Sequence, residues 1–305
     1  MPALSLIVCV HLQRDLLERL IQKSQDCWDD LAVVHDGPDE AGIRTIVEAA
    51  GGRFFERPRE SQVEPLLAFA FGQTLHDWIL RFDSDEFPSD EMRNWLKEFR
   101  RASEPPSEIS GYTCIWPAWD GHKRITKKWP AGRNFLFHKQ RVRFFAIGEQ
   151  SVIPDGIFKA LDLVLEHQPK RKTLGLSNVL FRKNAYQWRA FIAQSLIGKP
   201  TDLPCWRWTD PQWPTGWEQI RQQPLQTAAR RLVMGTLRTL RDQWRADKRI
   251  YLEASLNGPI YHALICFKYW QISRKQLLTK LKVAFVILWG CLLLGFAIWM
   301  LVRLM

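Results

Sequence analysis

Residues 78–92, WILRFDSDEFPSDEM, join an apolar run to a dense group of acids. The run over residues 78–82 predicts a buried strand, and Asp83, Asp85 and Glu86 follow it within four residues. Carboxylates this close repel one another, and one of them protonates unless a cation holds the group. The stretch therefore predicts a buried strand that ends at a binding site.

The segments before this stretch alternate between strand and helix patterns. Residues 5–10 (SLIVCV) and 31–37 (LAVVHDG) predict buried strands, and residues 53–56 (RFFE) predict a short third strand; helices are predicted over residues 14–22, 40–52 and 63–75. Such alternation predicts an α/β fold with a mostly parallel, Rossmann-like sheet. Ligands bind at the carboxyl ends of parallel strands, so Asp36, at the end of the second strand, is expected at the same edge as Asp83.

Charge divides the chain into an acidic and a basic part. Residues 1–100 carry 11 Lys and Arg against 19 Asp and Glu, whereas residues 101–305 carry 32 against 13. The basic part is expected to face an anionic partner. The six cysteines show no C-x-x-C spacing, and neither a zinc site nor a disulfide framework is predicted.

The C-terminal region contains an uncharged run of membrane-spanning length. Residues 283–302, VAFVILWGCLLLGFAIWMLV, match the roughly 20 apolar residues that a spanning helix needs. Four basic residues between 274 and 282 precede the run and only Arg303 follows it, which predicts that the preceding residues stay in the cytoplasm. The expected location is the cytoplasmic (inner) membrane, with a single C-terminal anchor. A buried core helix is the alternative. Because the chain is predicted to be membrane-bound and its first part is acidic, nucleic acid is not an expected partner.

The Asp83-x-Asp85 motif suits a divalent cation such as Mn²⁺ or Mg²⁺, because these ions prefer oxygen ligands. A metal ion held there could bridge a diphosphate and neutralise it as it leaves. A solvated acidic loop is the alternative interpretation.

Four segments together resemble a known family: SLIVCVHLQRDLLERL, VVHDGPDE, AAGGRFFERPRESQ and WILRFDSDE. In order and spacing they are similar to family 2 glycosyltransferases with the GT-A fold, in the bacterial branch related to lipopolysaccharide core glucosyltransferases. The resemblance covers residues 4–92 and is thin over 110–170. It implies a cytoplasmic enzyme that transfers a sugar from a nucleotide-sugar donor, expected to be a UDP-sugar, with inversion at the anomeric carbon.

The resemblance also implies roles for individual residues. Asp36 would hold the base of the nucleotide, Asp83 would contact the ribose or donor sugar, and Asp83 and Asp85 would bind the metal ion. His167, which ends an apolar run, would be a third metal ligand, although a structural histidine is equally expected.

Two positions depart from the family pattern, and both lie in the nucleotide-binding loops. His11 belongs to the end of the first strand, where the sequence differs from the one usual in the family. Its side chain could stack on the base or have a structural role. His35 replaces the first of two acids before Gly37. Arg59 and Gln62 could reach the diphosphate, or they could belong to a loop of solvated charge.

An inverting transfer needs a carboxylate base to deprotonate the acceptor hydroxyl. In the related branch an acid follows a strand that opens with an Arg-Phe-like pair, and Glu149 in RVRFFAIGEQ has that place. Asp155 in IPDG is the second candidate, although Asp-Gly is commonly only a turn.

The predicted organisation has four parts: residues 1–103 as the nucleotide-sugar-binding half of the GT-A domain, 104–184 as its acceptor-side half, 185–282 as a basic, Trp-rich helical extension at the membrane surface, and 283–302 as the transmembrane anchor. Within the extension, Val233, Leu237, Leu240 and Trp244 recur at helical spacing with arginines beside them. This stripe could lie in the membrane interface or pack on the catalytic domain. Four tryptophans are expected at the lipid headgroups or in the acceptor groove: Trp206, Trp208, Trp213 and Trp217.

The predicted function is metal-dependent transfer of a sugar to a lipid-linked or lipopolysaccharide-type glycolipid acceptor at the membrane. No Q-x-x-R-W sequence, the mark of processive synthases, is present, which favours the addition of one sugar at a time. Transfer to polyprenyl phosphate is an alternative. A catalytically inactive membrane scaffold that keeps the fold is another.

Overall fold

The predicted buried strands lie in the centre of an eight-stranded sheet. The computed structural model describes residues 1–60, 62–169, 175–181 and 183–275. Its strands, numbered along the chain, are β1 (Leu4–Val10), β2 (Asp30–Asp36), β3 (Arg53–Arg57), β4 (Trp78–Arg81), β5 (Glu86–Pro88), β6 (Ile109–Ile115), β7 (Ala131–His138), β8 (Val142–Phe145), β9 (Ile153–Pro154), β10 (Ile157–His167) and β11 (Cys205–Trp206). The large sheet has the order β3-β2-β1-β4-β7-β6-β10-β5, and β11-β8-β9 form a small second sheet.

The parallel half of the large sheet confirms the α/β prediction. Strands β3, β2, β1 and β4 pair in parallel. Every residue of β1 and β2 is buried, as strands covered on both faces require. Because the strands are parallel, the carboxyl ends of β1, β2 and β4 lie at one edge of the sheet.

The other half of the large sheet is mixed, and the sequence reasoning missed two of its strands, β5 and β10. Strand β7 runs antiparallel to β4 and β6, whereas β10 is parallel to β6. The short strand β5 lies inside the predicted acidic loop and pairs antiparallel with β10, which places His167 opposite Glu86. Between β6 and β7, a single antiparallel bridge joins Trp119 and Arg124.

Helices cover both faces of the sheet and form most of the C-terminal part. They are α1 (Arg14–Ser24), α2 (Ile43–Ala49), α3 (Val63–Gln73), α4 (Asp90–Arg101), α5 (Leu176–Phe181), α6 (Lys183–Ser195), α7 (Thr215–Gln222), α8 (Pro224–Asp247) and α9, helical over residues 252–275. Ser89 caps helix α4, because its hydroxyl accepts a hydrogen bond from the Met92 N–H at 3.2 Å. Two apolar cores flank the sheet, one on the side of α1 and α4 and the other on the side of α3.

The C-terminal part shares a third apolar core with the loop after β8. Trp208, Trp213 and Trp217 are buried there against Phe145 and Ile147. Trp206 lies in β11, and its indole N–H donates to the Lys139 carbonyl at 2.8 Å. The prediction that these tryptophans face headgroups or an acceptor groove is therefore wrong, because they pack this part of the chain against β8 and the loop after it.

Helix α8 keeps a stripe of apolar side chains on its surface. The side chains of Val233, Leu237 and Trp244 are 58%, 56% and 55% exposed, and Leu240 is half-buried. The alternative, that the stripe packs against the N-terminal α/β part, is not observed among the described residues. None of the helices within the described residues has the length and apolar character to cross a bilayer. The predicted span over residues 283–302 lies outside the described residues.

Candidate active site

The acidic cluster after β4 is divided among different partners. Arg133 Nη2, on β7, lies 2.9 Å from Asp83 Oδ2 and 3.0 Å from Glu86 Oε2. The Asp83 N–H also donates to Glu86 Oε2 at 2.8 Å, which folds the loop back on itself. One buried guanidinium thus offsets the repulsion between two of the carboxylates.

The two carboxyls that share Arg133 respond differently to burial. Burial acts to raise the pKa of Asp83, but the Arg133 and Arg81 guanidiniums outweigh it and hold that pKa below its usual range. Glu86 is fully buried, and burial raises the pKa of its carboxyl despite Arg133. Asp83 is therefore the more acidic of the two, and part of it faces solvent.

Asp85 turns away from this pair and faces His167. The distance between Asp85 Oδ2 and His167 Nε2 is 3.6 Å. The imidazole stacks on Trp116 at 4.1 Å between ring centroids, and the Gln168 N–H donates to the Asp85 carbonyl at 2.8 Å. The loop after β4 and the end of β10 thus hold these two side chains next to each other.

The donor set at this position fits a divalent cation only if a ligand completes it. Within the described residues no group of three or more His, Cys, Asp or Glu side chains is arranged to hold a metal ion. Of the three predicted ligands, Asp85 and His167 lie together, whereas Asp83 is bound to Arg133. Mg²⁺ commonly takes one or two protein ligands together with substrate phosphates, and this pair suits that arrangement.

A large chamber of about 760 Å³ lies at the carboxyl ends of β1 and β2. Four residues predicted to bind the nucleotide line it: His11, Asp36, Arg59 and Gln62. Asp36 Oδ1 also accepts a hydrogen bond from the Glu60 N–H at 2.6 Å, which closes the loop after β3 over the chamber.

Two polar atoms of the chamber are buried and have no hydrogen-bond partner among the described residues. They are His11 Nδ1 and Gln62 Oε1. Buried polar atoms in folded proteins nearly always have a partner, so each unpaired atom needs an explanation. A ligand seated in the chamber would supply one.

His35, the departure from the family pattern, has a structural position. Its Nδ1 lies 2.7 Å from the Gly37 carbonyl and its Nε2 lies 2.6 Å from the His11 carbonyl. The fully buried imidazole therefore joins the loop after β1 to the loop after β2. An ionised carboxylate could not take the place of the imidazole, because it has no hydrogen to donate to either carbonyl.

A smaller cavity, which we call the inner cleft, continues from the large chamber. It measures about 250 Å³ and shares Val63 and Trp188 with the chamber. Its charged lining consists of Glu64, Arg81, Asp83, Arg133 and Glu149. Asp83 and Glu149, predicted from separate parts of the chain, are thus brought to one cleft.

The local backbone holds Glu149 at the mouth of the cleft. Its φ of 65° lies in the left-handed region, which is uncommon for a residue with a side chain and concentrates at functional sites. The carboxylate reaches solvent, yet the surrounding protein raises its pKa, while a hydrogen bond from the Trp188 indole acts in the opposite direction. Gly148 allows helix α6 to approach, because a Cβ there would lie 3.0 Å from Trp188 Nε1 and from Ile192.

Asp155, the second candidate for the base, lies elsewhere. Its carboxylate pairs with Arg143 at 2.9 Å and with Arg207 at 3.0 Å, at the small sheet. It is not among the residues that line the inner cleft. The geometry therefore favours Glu149 over Asp155.

Sequence reasoning missed Glu64 and Arg81. Glu64 is only 8% exposed, and burial raises the pKa of its carboxyl to about 7. Arg81, the last residue of β4, is surrounded by protein, and burial together with the nearby Arg133 lowers the pKa of its guanidinium. A charged residue inside the apolar run WILRF was the available signal for Arg81. Glu64 resembled an ordinary acid in the first turn of a helix.

A side chamber of about 210 Å³ adjoins the inner cleft. Arg81, Arg133 and Ser151 line both cavities, and Trp116 and Asn134 line only the side chamber. Three connected spaces therefore follow one another along the carboxyl edge of the sheet.

These features define a mixed α/β protein whose polar cavities lie at the carboxyl ends of its parallel strands. No protein-family model matches the chain, and no curated protein matches it. Among solved structures it is similar to TarS of S. aureus, with 11% identity over 64% of this chain and 40% of that one, and a TM-score of 0.39. It thus spans less than half the length of that protein.

Two further solved structures show similarity at the same level. TarS residues 1–349 match with 11% identity over 88% of this chain and 91% of that one, at a TM-score of 0.37. A putative glucose-1-phosphate thymidylyltransferase of Bacillus anthracis, in complex with a sucrose, matches with 15% identity. The match covers 53% of this chain and 88% of that one, at a TM-score of 0.36. At these scores the similarities carry no argument about the activity of this chain.

Proposed function

We propose that this protein is a glycosyltransferase that moves a sugar from a nucleotide diphosphate donor, with a UDP-sugar as the expected donor. The observation that carries the proposal is the connection of the large chamber to the inner cleft through Val63 and Trp188. A nucleoside in the chamber would place its diphosphate and sugar towards Asp83 and Glu149. The unpaired His11 Nδ1 and Gln62 Oε1 support a polar ligand in the chamber.

Glu149 is the proposed base of an inverting transfer. It would accept the proton of the acceptor hydroxyl as the oxygen attacks the anomeric carbon from the face opposite the diphosphate. A base works best when its pKa approaches the working pH, and the surroundings of Glu149 move its pKa in that direction. Trp188 holds the carboxylate through its indole N–H, and the Trp217 indole fixes the adjacent Gln150 through a 2.7 Å hydrogen bond.

A divalent cation, Mn²⁺ or Mg²⁺, is proposed as the cofactor. Asp85 and His167 would hold it together with the diphosphate, and when bound it would offset the charge of the leaving nucleotide. Asp83, held by Arg133, would keep its predicted contact with the ribose or donor sugar. Arg59 is the chamber residue suited to bind a phosphate oxygen.

The proposed acceptor is a lipid-linked or lipopolysaccharide-type glycolipid at the cytoplasmic face of the membrane. The exposed stripe of α8 supports a membrane-facing surface, because Val233, Leu237 and Trp244 lie beside exposed arginines such as Arg241. Apolar side chains flanked by arginines suit the headgroup region of an anionic bilayer. The uncharged run over residues 283–302 supports anchoring of the same chain.

Calorimetric titration of the full chain in detergent micelles with UDP, GDP, CDP and dTDP, with and without Mn²⁺, tests the proposal. We expect one nucleotide to bind, and Asp36→Asn to weaken it at least tenfold, a loss of about 1.4 kcal/mol. Asparagine keeps the oxygen that accepts from the Glu60 N–H, so the loop should remain in place. Asp155→Asn makes the same chemical change outside the cavities and serves as the matched control. Folded protein that binds none of the four nucleotides would reject the proposal and favour an inactive scaffold.

A further inference from the structure

The inner cleft is lined by three residues that each have a buried polar atom without a hydrogen-bond partner among the described residues. These atoms are Glu64 Oε2, on the first turn of α3, Arg81 Nε, at the end of β4, and Arg133 Nε, on β7. The Glu64 carboxyl accepts a hydrogen bond from its own backbone N–H, which leaves Oε2 available. An unpaired buried donor or acceptor destabilises the folded protein, so a protein that retains three of them in one cavity is expected to pair them with a ligand.

The charges around these atoms restrict the kind of ligand. An anion in the cleft would be repelled by the carboxyls of Glu64, Asp83 and Glu149. A cation would be repelled by the guanidiniums of Arg81 and Arg133. A neutral polyhydroxylated group satisfies both sets. A hydroxyl accepts a hydrogen bond from a guanidinium through its oxygen and donates its own hydrogen to a carboxylate.

The size and place of the cleft agree with a single sugar ring. Its volume of about 250 Å³ is below the roughly 300–1,000 Å³ of sites for drug-sized ligands. It lies between the chamber proposed for the nucleoside and Glu149, the proposed base. The sugar that is transferred has to occupy this interval, because its anomeric carbon is bonded to the diphosphate and attacked from the opposite side.

We propose that Glu64 and Arg81 bind hydroxyl groups of the transferred sugar and thereby select which sugar the enzyme uses. This inference rests on the proposed function, and it adds a pair of residues that recognises the sugar independently of the nucleotide. A site with buried polar groups rejects a sugar that lacks the matching hydroxyl, because the groups are then left unpaired. Selection should therefore depend on the configuration of individual hydroxyls.

Paired affinities of a nucleotide and its sugars test the inference. The dissociation constants of UDP, UDP-glucose, UDP-galactose, UDP-N-acetylglucosamine and UDP-glucuronate are measured on the full chain in micelles with Mn²⁺. If another nucleotide binds in the first titration, its sugars are used. The variants are Glu64→Ala and Glu64→Gln, and Glu98→Ala, at an exposed glutamate on α4 that lines none of the three cavities, is the matched control.

In the wild-type protein one sugar nucleotide should bind at least tenfold more tightly than the nucleotide alone. Glu64→Ala should abolish that gain and leave the affinity for the nucleotide within twofold, and Glu98→Ala should change neither. Glu64→Gln keeps the volume of the side chain, so it should fold like the wild type and change the order of preference among the sugars.

Equal weakening of the nucleotide and its sugar in Glu64→Ala would overturn the inference, since it would mean that Glu64 only shapes the cavity. An unchanged gain from the sugar, or the lack of any gain in the wild type, would overturn it too. Absence of all nucleotide binding in the wild type is a distinct result, which rejects the proposed function and this inference with it.

Discussion

Replacing Glu64 by glutamine should make the protein more stable at alkaline pH and leave its stability at acidic pH almost unchanged. Burial raises the pKa of this carboxyl from the ordinary 4.5 to about 7 in the folded state. The unfolded chain therefore loses this proton near pH 4.5, whereas the folded protein keeps it until about pH 7. Folding thus becomes less favourable as the pH rises through this window, by about 1.4 kcal/mol for each pH unit.

The full effect is about 3 kcal/mol at pH 8, because the two pKa values of Glu64 are separated by about two and a half pH units. Glutamine has the shape of the protonated acid and never ionises, so Glu64→Gln should escape this loss. At about 2 °C per kcal/mol for a chain of this size, the Tm of the variant should exceed that of the wild type by about 6 °C at pH 8. Near pH 5 the two Tm values should differ by only about 2 °C, because the unfolded chain has already lost most of this proton whereas the folded protein still keeps it.

Thermal unfolding of the full chain in micelles, followed by circular dichroism at pH 5, 6, 7 and 8, measures this difference. Glu60→Gln removes an exposed carboxyl on the loop before α3, and the Tm difference between this variant and the wild type should not change with pH. A Tm difference between Glu64→Gln and wild type that stays constant over these pH values would refute the reasoning. It would mean that Glu64 is ionised, or protonated, in both states across the whole range.

Three further outcomes follow from the site and from α8. Glu149→Gln should lower kcat by about 10²–10⁴ and leave the dissociation constant of the nucleotide unchanged, in a rate assay paired with calorimetry. Chelation by EDTA should weaken nucleotide binding to the wild type at least tenfold, a loss of about 1.4 kcal/mol, but should have little further effect on Asp85→Asn, whose metal pair is already broken. In nanodiscs that contain anionic lipid, amide hydrogen exchange around Leu237 and Trp244 should be slower than in zwitterionic nanodiscs, and Leu237→Glu should remove the difference.

The parallel half of the sheet could be predicted from the sequence because its signals are local. The buried strands β1, β2 and β4 contain mostly apolar runs, and the intervening helices have a helical period. A mostly parallel sheet then follows from the alternation of strands and helices. The prediction that Asp36 and Asp83 would lie at one edge depended only on these steps.

The interior of the site could not be predicted, because it depends on pairing between distant segments. Arg133 reaches Asp83 only because β7 lies next to β4, and His167 reaches Asp85 only because β10 pairs with β5. Neither antiparallel pairing has a signature in a short stretch of sequence. The prediction for the tryptophans was wrong for a related reason. Trp208 and its neighbours suit a membrane interface and a protein core equally, and only the packing distinguishes the two.

At the acidic cluster, the contacts that stabilise the fold are different from those proposed to bind the donor. Arg133 already pairs with Asp83 and Glu86, so the loop after β4 can fold without a metal ion. Asp85 points instead to His167 and leaves a pair that a diphosphate can complete. A diphosphate that arrives at this edge adds negative charge beside Asp83 and Asp85, and in the absence of a cation the repulsion opposes its binding. A divalent ion should therefore determine the affinity for the donor and have little effect on the free energy of unfolding, which is why EDTA is expected to change the dissociation constant and to leave the Tm of the ligand-free protein unchanged.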